Sequence, residues 1–469
     1  LNVAQTTISA NNLEFRSITA GTAASGPANG IVLNNTGSSG GLKVKGTGGA
    51  GTGGTIQRTT ATGISLTDAA HTSLEDMIVQ NCGDDGIFGL RMTNFALDNT
   101  SILTNGNSTS DEGLEIGNPS GNEIGVSGTV SITNSTFSAN AHNNFKLRNG
   151  AGTISSFTVN NSSFNNMAAL PNGANSFIFE TTNTATVTTG TISGCTFANN
   201  GNGVAAGSDY RALQITAHGD TGTGNSSTIS DLTVSGNTFT NNGLHAAFEA
   251  DTAANLQFKM INNLNMTGAS PSHAIHVGVS STTTGGVLQG RIQGNTIGNA
   301  GTAGSGSTAG AGINVLVQGR MQGILLIDGN TIRQTYQAHG INVESRGPTV
   351  SGQPLSQSDV TVTNNDVVPN DITGFPAAAI YVVADSQGGS PVRLRADIRL
   401  NTVPTSPPVV DLYPSYLIFD EVAAAAEAQL VDTAPASATC DAQLDSTNTG
   451  SATAGATCAL IAGPISTPP

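Results

Sequence analysis

The sequence predicts an all-β solenoid in which short parallel strands stack coil upon coil. Three observations support this fold class. A motif of a short strand, a polar corner and an apolar residue recurs along the chain. The spacing between copies varies, and a second strand pattern follows each copy. The composition agrees, because 59 Gly in 469 residues with only 10% charged residues is unusual for a compact globular enzyme. We therefore expect one long, thin apolar core.

The repeated phrase ends in an apolar residue that marks each coil. The mean spacing between markers is about 33 residues, and individual steps differ by several residues. Helical repeats keep a fixed length, whereas coils joined by loops of free length tolerate such variation. We expect about 12 coils from this spacing. The markers are Ile102, Phe137, Phe164, Phe197, Phe239, Met266, Ile297, Ile332, Val367 and Val403.

A second pattern follows each marker: a small or polar residue, then an apolar, an outward and an apolar residue. Gly113 to Ile116 and Gly340 to Val343 are two examples of this period-two strand pattern. Because the same strand type returns only after a full coil, like strands must stack in parallel rather than form hairpins. The prediction is a parallel β-helix over residues 1–415.

The C-terminal part breaks this pattern. Residues 416–431 contain an alanine-rich run with Asp420 and Glu421 suited to a first helical turn, so we predict a short capping helix there. Residues 432–469 are rich in Ala, Thr, Ser and Pro and read as a tail. Cys440 and Cys458 flank a loop in this tail and are predicted to form a disulfide.

Charge and cysteine usage indicate which partners and which cellular compartment to expect. The net charge of −15 disfavours nucleic acid as a partner, and no apolar run reaches the length of a membrane span. A disulfide implies an oxidising compartment, so we expect an extracellular or cell-surface location. Cys82 and Cys195 lie at corners of coils, where we expect small, buried side chains.

Asparagines recur two positions before the marker. Their side-chain amides are expected to stack from coil to coil and to bond one another and the backbone. This structural ladder is predicted for Asn237, Asn295, Asn330, Asn365 and Asn401. Phenylalanine markers are expected to stack inside the core, rather than to form a sugar-binding platform.

Two acidic corners precede the second strand on adjacent coils: Asp84 with Asp85, and Asp111 with Glu112. Adjacent coils lie about 4.8 Å apart, so these four carboxylates are expected to be neighbours, with Glu115 pointing outward from the same strand. Three interpretations stay open. The residues make turns, they bind calcium together with Glu115, or they form a catalytic or sugar-contacting site.

The following coils carry other ionisable residues. His142 and Asn143 match the acidic corners, and Lys146 and Arg148 follow on the same strand. Arg211, His273 and His339 occupy the same position on later coils, where we expect a solvent-facing edge.

The repeat and the Asp-Asp-Gly-Ile segment at 84–87 resemble right-handed parallel β-helix proteins of the pectin-lyase-like kind, of bacterial extracellular type. The resemblance covers most of the chain, from about residue 30 to residue 415. It implies a general acid and a water-activating base at Asp84 and Asp85 in a hydrolase, or calcium carboxylates with Lys146 or Arg148 as base in a lyase. The chain lacks the companion Asn-Thr-Asp, Gly-His-Gly and Arg-Ile-Lys motifs of the hydrolases.

The leading functional hypothesis is therefore a non-enzymatic extracellular structural or adhesive surface protein: a stalk, adhesin or filament segment. Its expected partners are other copies stacked end to end, or a cell-surface glycan or protein. The alternatives are a polysaccharide lyase or glycoside hydrolase working at the acidic corners, and a phage-type trimeric spike.

Overall fold

The computed structural model describes most of the chain. The described residues are 1–23, 26–118, 122–166, 174–201, 210–220, 224–269, 271–279, 284–336, 338–348, 355–369, 378–386, 390–404, 417–422, 426–431, 439–450, 452–454 and 458–469. They divide into two compact units. The first contains Leu1–Gly201, Tyr210–Thr216 and Ser227–Thr233, and the second contains Ala217–Ser226 and Val234–Pro469.

Each coil of the first unit visits three faces in turn, and strands within a face pair in parallel. The first face contains Asn2–Ala4, Ile31–Gly37, the start of Ile64–Glu75, Ile87–Leu90, Leu114–Ile116, Phe145–Asn149, Phe177–Thr181 and Arg211–His218. The second face contains Leu13–Phe15, Leu42–Val44, the end of Ile64–Glu75, Met92–Asp98, Val126–Thr133, Thr153–Asn160, Thr186–Val187, Gly190–Ser193 and Thr228–Ser235. The third face contains Gly54–Gln57, Met77–Gln80, Ser101–Leu103, Thr136–Ser138, Ser163–Asn165 and Thr196–Ala198.

The second unit repeats this arrangement. Its first face contains Leu244–Asp251, Ile275–Val279, Ile313–Gln318, Ile341–Arg346, Ile380–Asp385, Leu417–Val422 and Ala452–Ala454. Its second face contains Asn255–Ile261, Val287–Gln293, Gln322–Asp328, Ser356–Thr363, Val392–Arg399, Ala426–Val431 and Ala459–Ile461. Its third face contains Thr238–Asn242, Asn265–Ala269, Thr296–Ile297, Thr331–Arg333 and Asp366–Val368. The all-β parallel solenoid is thus confirmed.

The core is built from the inward residues of the period-two strands. Phe145 and Phe177 are in register on the first face, both fully buried, with ring centroids 4.4 Å apart. The marker rings of Phe137 and Phe164 stack at 4.8 Å on the third face. Burying these rings stabilises each coil through the coil beside it, because no single coil can enclose its own apolar side chains.

The predicted capping helix at 416–431 is wrong. This segment forms the strands Leu417–Val422 and Ala426–Val431, in register with the preceding coil. Leu417 and Phe419 are fully buried at alternate positions, so pairing with the sheet overrides the helix preference of the alanines.

The tail predicted at 432–469 is also wrong in its described part, because the solenoid continues there. A helix, Cys440–Thr447, begins after Thr439, whose hydroxyl accepts a bond from the N–H of Ala442. The strands Ala452–Ala454 and Ala459–Ile461 extend the first and second faces, and Cys440 and Cys458 are joined in a disulfide. The Arg291 side chain donates to the Pro468 carbonyl, which places the chain end across the second face of the second unit.

The asparagines form a continuous ladder in the second unit. Each side-chain amide donates to the side-chain oxygen of the asparagine on the next coil, at 2.9 to 3.1 Å. The same oxygen also accepts the backbone N–H of the preceding asparagine. We call this the amide ladder. It consists of Asn237, Asn263, Asn295, Asn330, Asn365, Asn401 and Asn448.

Two members of the amide ladder were not predicted. Asn263 lies three positions before its marker rather than two, because the exposed residue Leu264 is inserted between them. Asn448 follows the helix in the segment that was expected to be a tail. In the first unit the position two before the marker holds hydroxyl and thiol groups instead. There the N–H of Thr100 donates to the hydroxyl of Ser135, and the N–H of Ser135 donates to the hydroxyl of Ser162.

Asn330 tests the strength of the amide ladder. Asn330→Ala removes the acceptor of two bonds from Asn295 and the donor to the Ile292 carbonyl, all of them buried. We expect the free energy of unfolding to fall by about 3 kcal/mol, since several buried polar groups lose their partners. Urea denaturation followed by circular dichroism measures the change.

Thr331→Ala is the matched control, because Thr331 is the adjacent outward residue and its hydroxyl makes no hydrogen bond among the described residues. A loss of stability in Asn330→Ala no larger than that of Thr331→Ala would show that the ladder contributes little.

Candidate functional site

The site lies where four coils of the first unit enter the first face. The residue two positions before each strand is Asp85, Glu112, Asn143 or Asn175. A side-chain oxygen of each of the first three accepts the backbone N–H of its counterpart on the next coil. The N–H of Glu112 donates to Asp85 at 2.6 Å, that of Asn143 to Glu112 at 2.7 Å, and that of Asn175 to Asn143 at 2.8 Å. We call these four residues the acceptor ladder. The series ends on the N–H of Arg211, which donates to Asn175.

The acidic corners are only partly brought together. Asp85 and Glu112 are neighbours through the acceptor ladder, as the register predicted. Asp84 accepts a bond from the Thr62 hydroxyl on the preceding coil. Asp111 accepts the N–H groups of Asn107 and Ser108 at 2.9 Å each, so its carboxylate closes its own loop. Asp111 therefore makes a turn and does not extend the cluster.

Glu112 is the most enclosed member of the site. Its side chain has no exposed surface, and its two oxygens accept bonds from the backbone and side chain of Asn143, from His142 and from Lys146. The Lys146 ammonium lies 3.0 Å from Glu112 and 2.8 Å from Glu115, and so bridges the two carboxylates. The next outward residue, Arg148, pairs with Glu180 at 2.6 Å.

Burial and charge set the protonation states. Burial raises the pKa of Asp85 to about 8, helped by the nearby carboxylates of Glu115, Asp84 and Glu112. Burial also acts to raise the pKa of Glu112, but the bond from His142 and the charge of Lys146 outweigh it, and the pKa is lowered. The pKa of Glu115 is raised by burial, only partly offset by Lys146.

Lys146 is held in its charged form. Burial acts to lower the pKa of Lys146, but the Glu112 and Glu115 carboxylates outweigh burial and raise this pKa. The arrangement at neutral pH is therefore a protonated Asp85 beside a buried cluster in which Glu112 and Lys146 are charged.

On later coils, the residue two positions before the first-face strand also accepts a backbone N–H from the next coil. In the second unit, Nδ1 of His273 accepts the N–H of Ala311 at 2.9 Å, and Nδ1 of His339 accepts the N–H of Ala378 at 3.0 Å. Burial lowers the pKa of His339 to about 4. These imidazoles act as acceptors between coils, whereas the sequence led us to expect an edge that merely faces solvent.

The calcium interpretation of the acidic corners stays a prediction. Among the described side chains, three or more His, Cys, Asp or Glu residues never converge so as to hold a metal ion. The carboxylate oxygens of Asp111 and Glu112 are instead occupied by hydrogen-bond donors of the protein.

Sequence reasoning missed the shared role of this slot. The signal was present, because an acceptor side chain stands two positions before the strand on coil after coil. The change of residue type from Asp and Glu to Asn and His concealed it. Searching for any side chain with an available oxygen or ring nitrogen would have found the acceptor ladder.

Comparison with protein-family models, with curated protein sequences and with solved structures found no match. In the part of the chain that the structure describes, helices fall short of the length and apolar character needed to cross a membrane.

The raised pKa of Asp85 gives the protein a specific pH dependence. The folded chain holds this proton up to about pH 8, while an unfolded Asp with a pKa of 3.8 releases it near pH 4. Between these values the folded state binds more protons, so the free energy of unfolding falls as the pH rises.

Asp85→Asn should remove the fall in the free energy of unfolding that Asp85 causes between pH 4 and pH 8. The variant should therefore be more stable than the parent at pH 8. Asn keeps the acceptor oxygen, as Asn143 and Asn175 already do on later coils. Urea denaturation at several pH values between 4 and 8 checks this, with Asp84→Asn as a control for simple loss of one negative charge. Parallel profiles for the parent and Asp85→Asn would contradict the assignment.

Proposed function

We propose that this chain is a non-enzymatic, extracellular structural or adhesive β-helix segment, and that the acidic cluster serves to hold coils together. The observation that carries the proposal is the environment of Glu112, which is fully buried and whose oxygens are engaged by protein donors. A carboxylate in this state offers little to a substrate, because an attacking water or a glycosidic oxygen cannot reach it.

The basic residues support the same proposal. A lyase needs a base that releases its proton readily, but the raised pKa of Lys146 keeps that ammonium charged. Arg148 is engaged with Glu180. The polar side chains of the corner are thus used by the fold, as expected of a segment selected for a stable surface.

The extracellular location and the right-handed, pectin-lyase-like character belong to this proposal as well. The Cys440–Cys458 disulfide supports an oxidising compartment. Three parallel faces per coil support the fold type, and the handedness follows from the general preference for right-handed connections between parallel strands of one sheet.

A glycoside hydrolase or polysaccharide lyase is the second candidate. One observation favours it: Asp85 keeps a proton near neutral pH beside ionised carboxylates, which is the condition of a general acid. This candidate requires a substrate to reach Asp85, a residue that is only 5% exposed.

Glycan degradation separates the two candidates. Uronate-containing and neutral polysaccharides are incubated with the parent and with Asp85→Asn, and both new reducing ends and unsaturated products are measured. We expect no turnover from either protein. Turnover by the parent that Asp85→Asn abolishes would contradict the structural proposal and establish the enzyme.

The structural role of Lys146 has its own test. Lys146→Met leaves Glu112 buried without its cation, and we expect the free energy of unfolding to fall by about 3 kcal/mol. The double variant Lys146→Met, Glu112→Gln should recover much of that loss, because the unpaired charge is gone. Additive losses in urea denaturation would show that the pair does not act as a unit.

A further inference from the structure

The last residues of the second unit leave the path of the solenoid and run back across the outward side of its second face. The N–H of Ser466 donates to Oδ2 of Asp359 at 3.1 Å. Nε of Arg291 donates to the carbonyl of Pro468 at 3.3 Å. The two anchoring strands are separated by one further strand, so this segment crosses the sheet instead of adding to it. We call residues 463–469 the strap.

The strap turns one side toward the protein. Ile465 and Pro468 are buried, whereas Ser466 and Thr467 between them are exposed. A spacing of three residues places two side chains on the same face of a polyproline II helix, and the prolines of the strap favour that extended conformation. The strap is therefore held by two apolar side chains and by hydrogen bonds at its anchors.

The surface beneath the strap is apolar. The strand Gln322–Asp328 lies between the two anchoring strands, with Ile324 in register with Asp359 and Leu326 in register with Arg291. The path of the strap from one anchor to the other therefore passes over these two outward side chains. Ile324 is only 8% exposed although it points away from the solenoid core. The strap covers an apolar strip that would otherwise face solvent.

The closed strap carries a cost. Thr361 is in register with Leu326 on the next coil and is also an outward residue, yet it is buried. Its hydroxyl makes no hydrogen bond in the described part of the chain. A buried hydroxyl without a partner is destabilising. This cost lowers the stability of the closed arrangement and favours a strap that can leave the surface.

The hinge of the strap is short and conformationally restricted. The last strand ends at Ile461, and the first buried residue of the strap is Ile465. Between them Gly463 has a φ of 90°, which favours glycine, and Pro464 follows it. Short hinges under conformational restraint favour the exchange of a segment between copies, because the exchanged segment keeps its contacts while the hinge relaxes.

We propose that the strap is exchanged between two copies of this chain, so that the strap of each copy lies on the second face of the other. The strap itself shows which peptide this surface fits: two apolar side chains three positions apart, an N–H for Asp359 and a carbonyl for Arg291. The arrangement is reciprocal and closes as a dimer. It uses no residue of the acidic cluster, so its test and the glycan-degradation test have separate outcomes.

Light scattering after size-exclusion chromatography measures the mass of the whole chain over a wide range of protein concentration. We expect a monomer and a dimer in equilibrium, with the dimer fraction rising with concentration. Gly463→Ala should raise the dimer fraction severalfold, because alanine disfavours the φ of the closed hinge. An excess of a synthetic peptide with the sequence of residues 463–469 should convert the dimer to monomer, since it occupies the same surface.

Ile465→Asp should weaken dimer formation by roughly tenfold or more, because a carboxylate is costly to bury on an apolar strip. Thr467→Asp is the matched control: it adds the same charge at an exposed position of the strap and should dimerise like the parent. Ile465→Ala is the milder variant if Ile465→Asp loses its native circular dichroism, and it should also lower the dimer fraction.

Three outcomes overturn the proposal. The first is a monomeric mass for the parent at every concentration. The second is a dimer that persists unchanged in the presence of the peptide. The third is an equal effect of Ile465→Asp and Thr467→Asp on the dimer fraction.

Discussion

The structure depends on how backbone groups are satisfied at the corners of each coil. Within the three faces, N–H and carbonyl groups pair with the adjacent coils along parallel strands, but at a corner the chain turns away from these partners. A buried backbone group without a partner is costly. This chain meets the constraint with side chains placed one or two positions before the strands. The amide ladder serves one corner of the second unit, and the acceptor ladder serves another corner of the first.

This constraint explains the composition and why the acidic corners are ambiguous. A slot that must accept a backbone N–H can hold Asp, Glu, Asn or His with equal geometric success. Where the slot holds two acids on successive coils, their repulsion must be relieved. Here Asp85 retains a proton and Glu112 is neutralised by Lys146. The same features describe an acid catalyst and a buried structural pair. Access to the carboxyl groups distinguishes the two roles, and the absence of exposed surface on the Glu112 side chain supports our structural proposal.

The fold class could be predicted from the sequence because equivalent positions of a repeat identify the residues that pair on adjacent coils. Asn330 and Asn365 could be predicted as ladder neighbours because both lie two positions before a marker. In the structure Nδ2 of Asn330 lies 3.0 Å from Oδ1 of Asn365. Three features could not be obtained this way. A one-residue insertion at Leu264 hid Asn263, the pairing of Phe419 with the preceding coil outweighed local helix propensity, and the Asp111 side chain turned into its own loop. Each depends on contacts between distant residues, which a local pattern does not contain.

Side chains at the corners of this solenoid serve as hydrogen-bond partners for the backbone of the next coil. Hydrogen exchange of individual backbone amides tests this most directly, because the N–H groups of Glu112, Asn143 and Asn330 each donate to a side chain rather than to a strand. We predict that they exchange as slowly as the strand amides beside them. Exchange at the rate of exposed loop amides would contradict the claim.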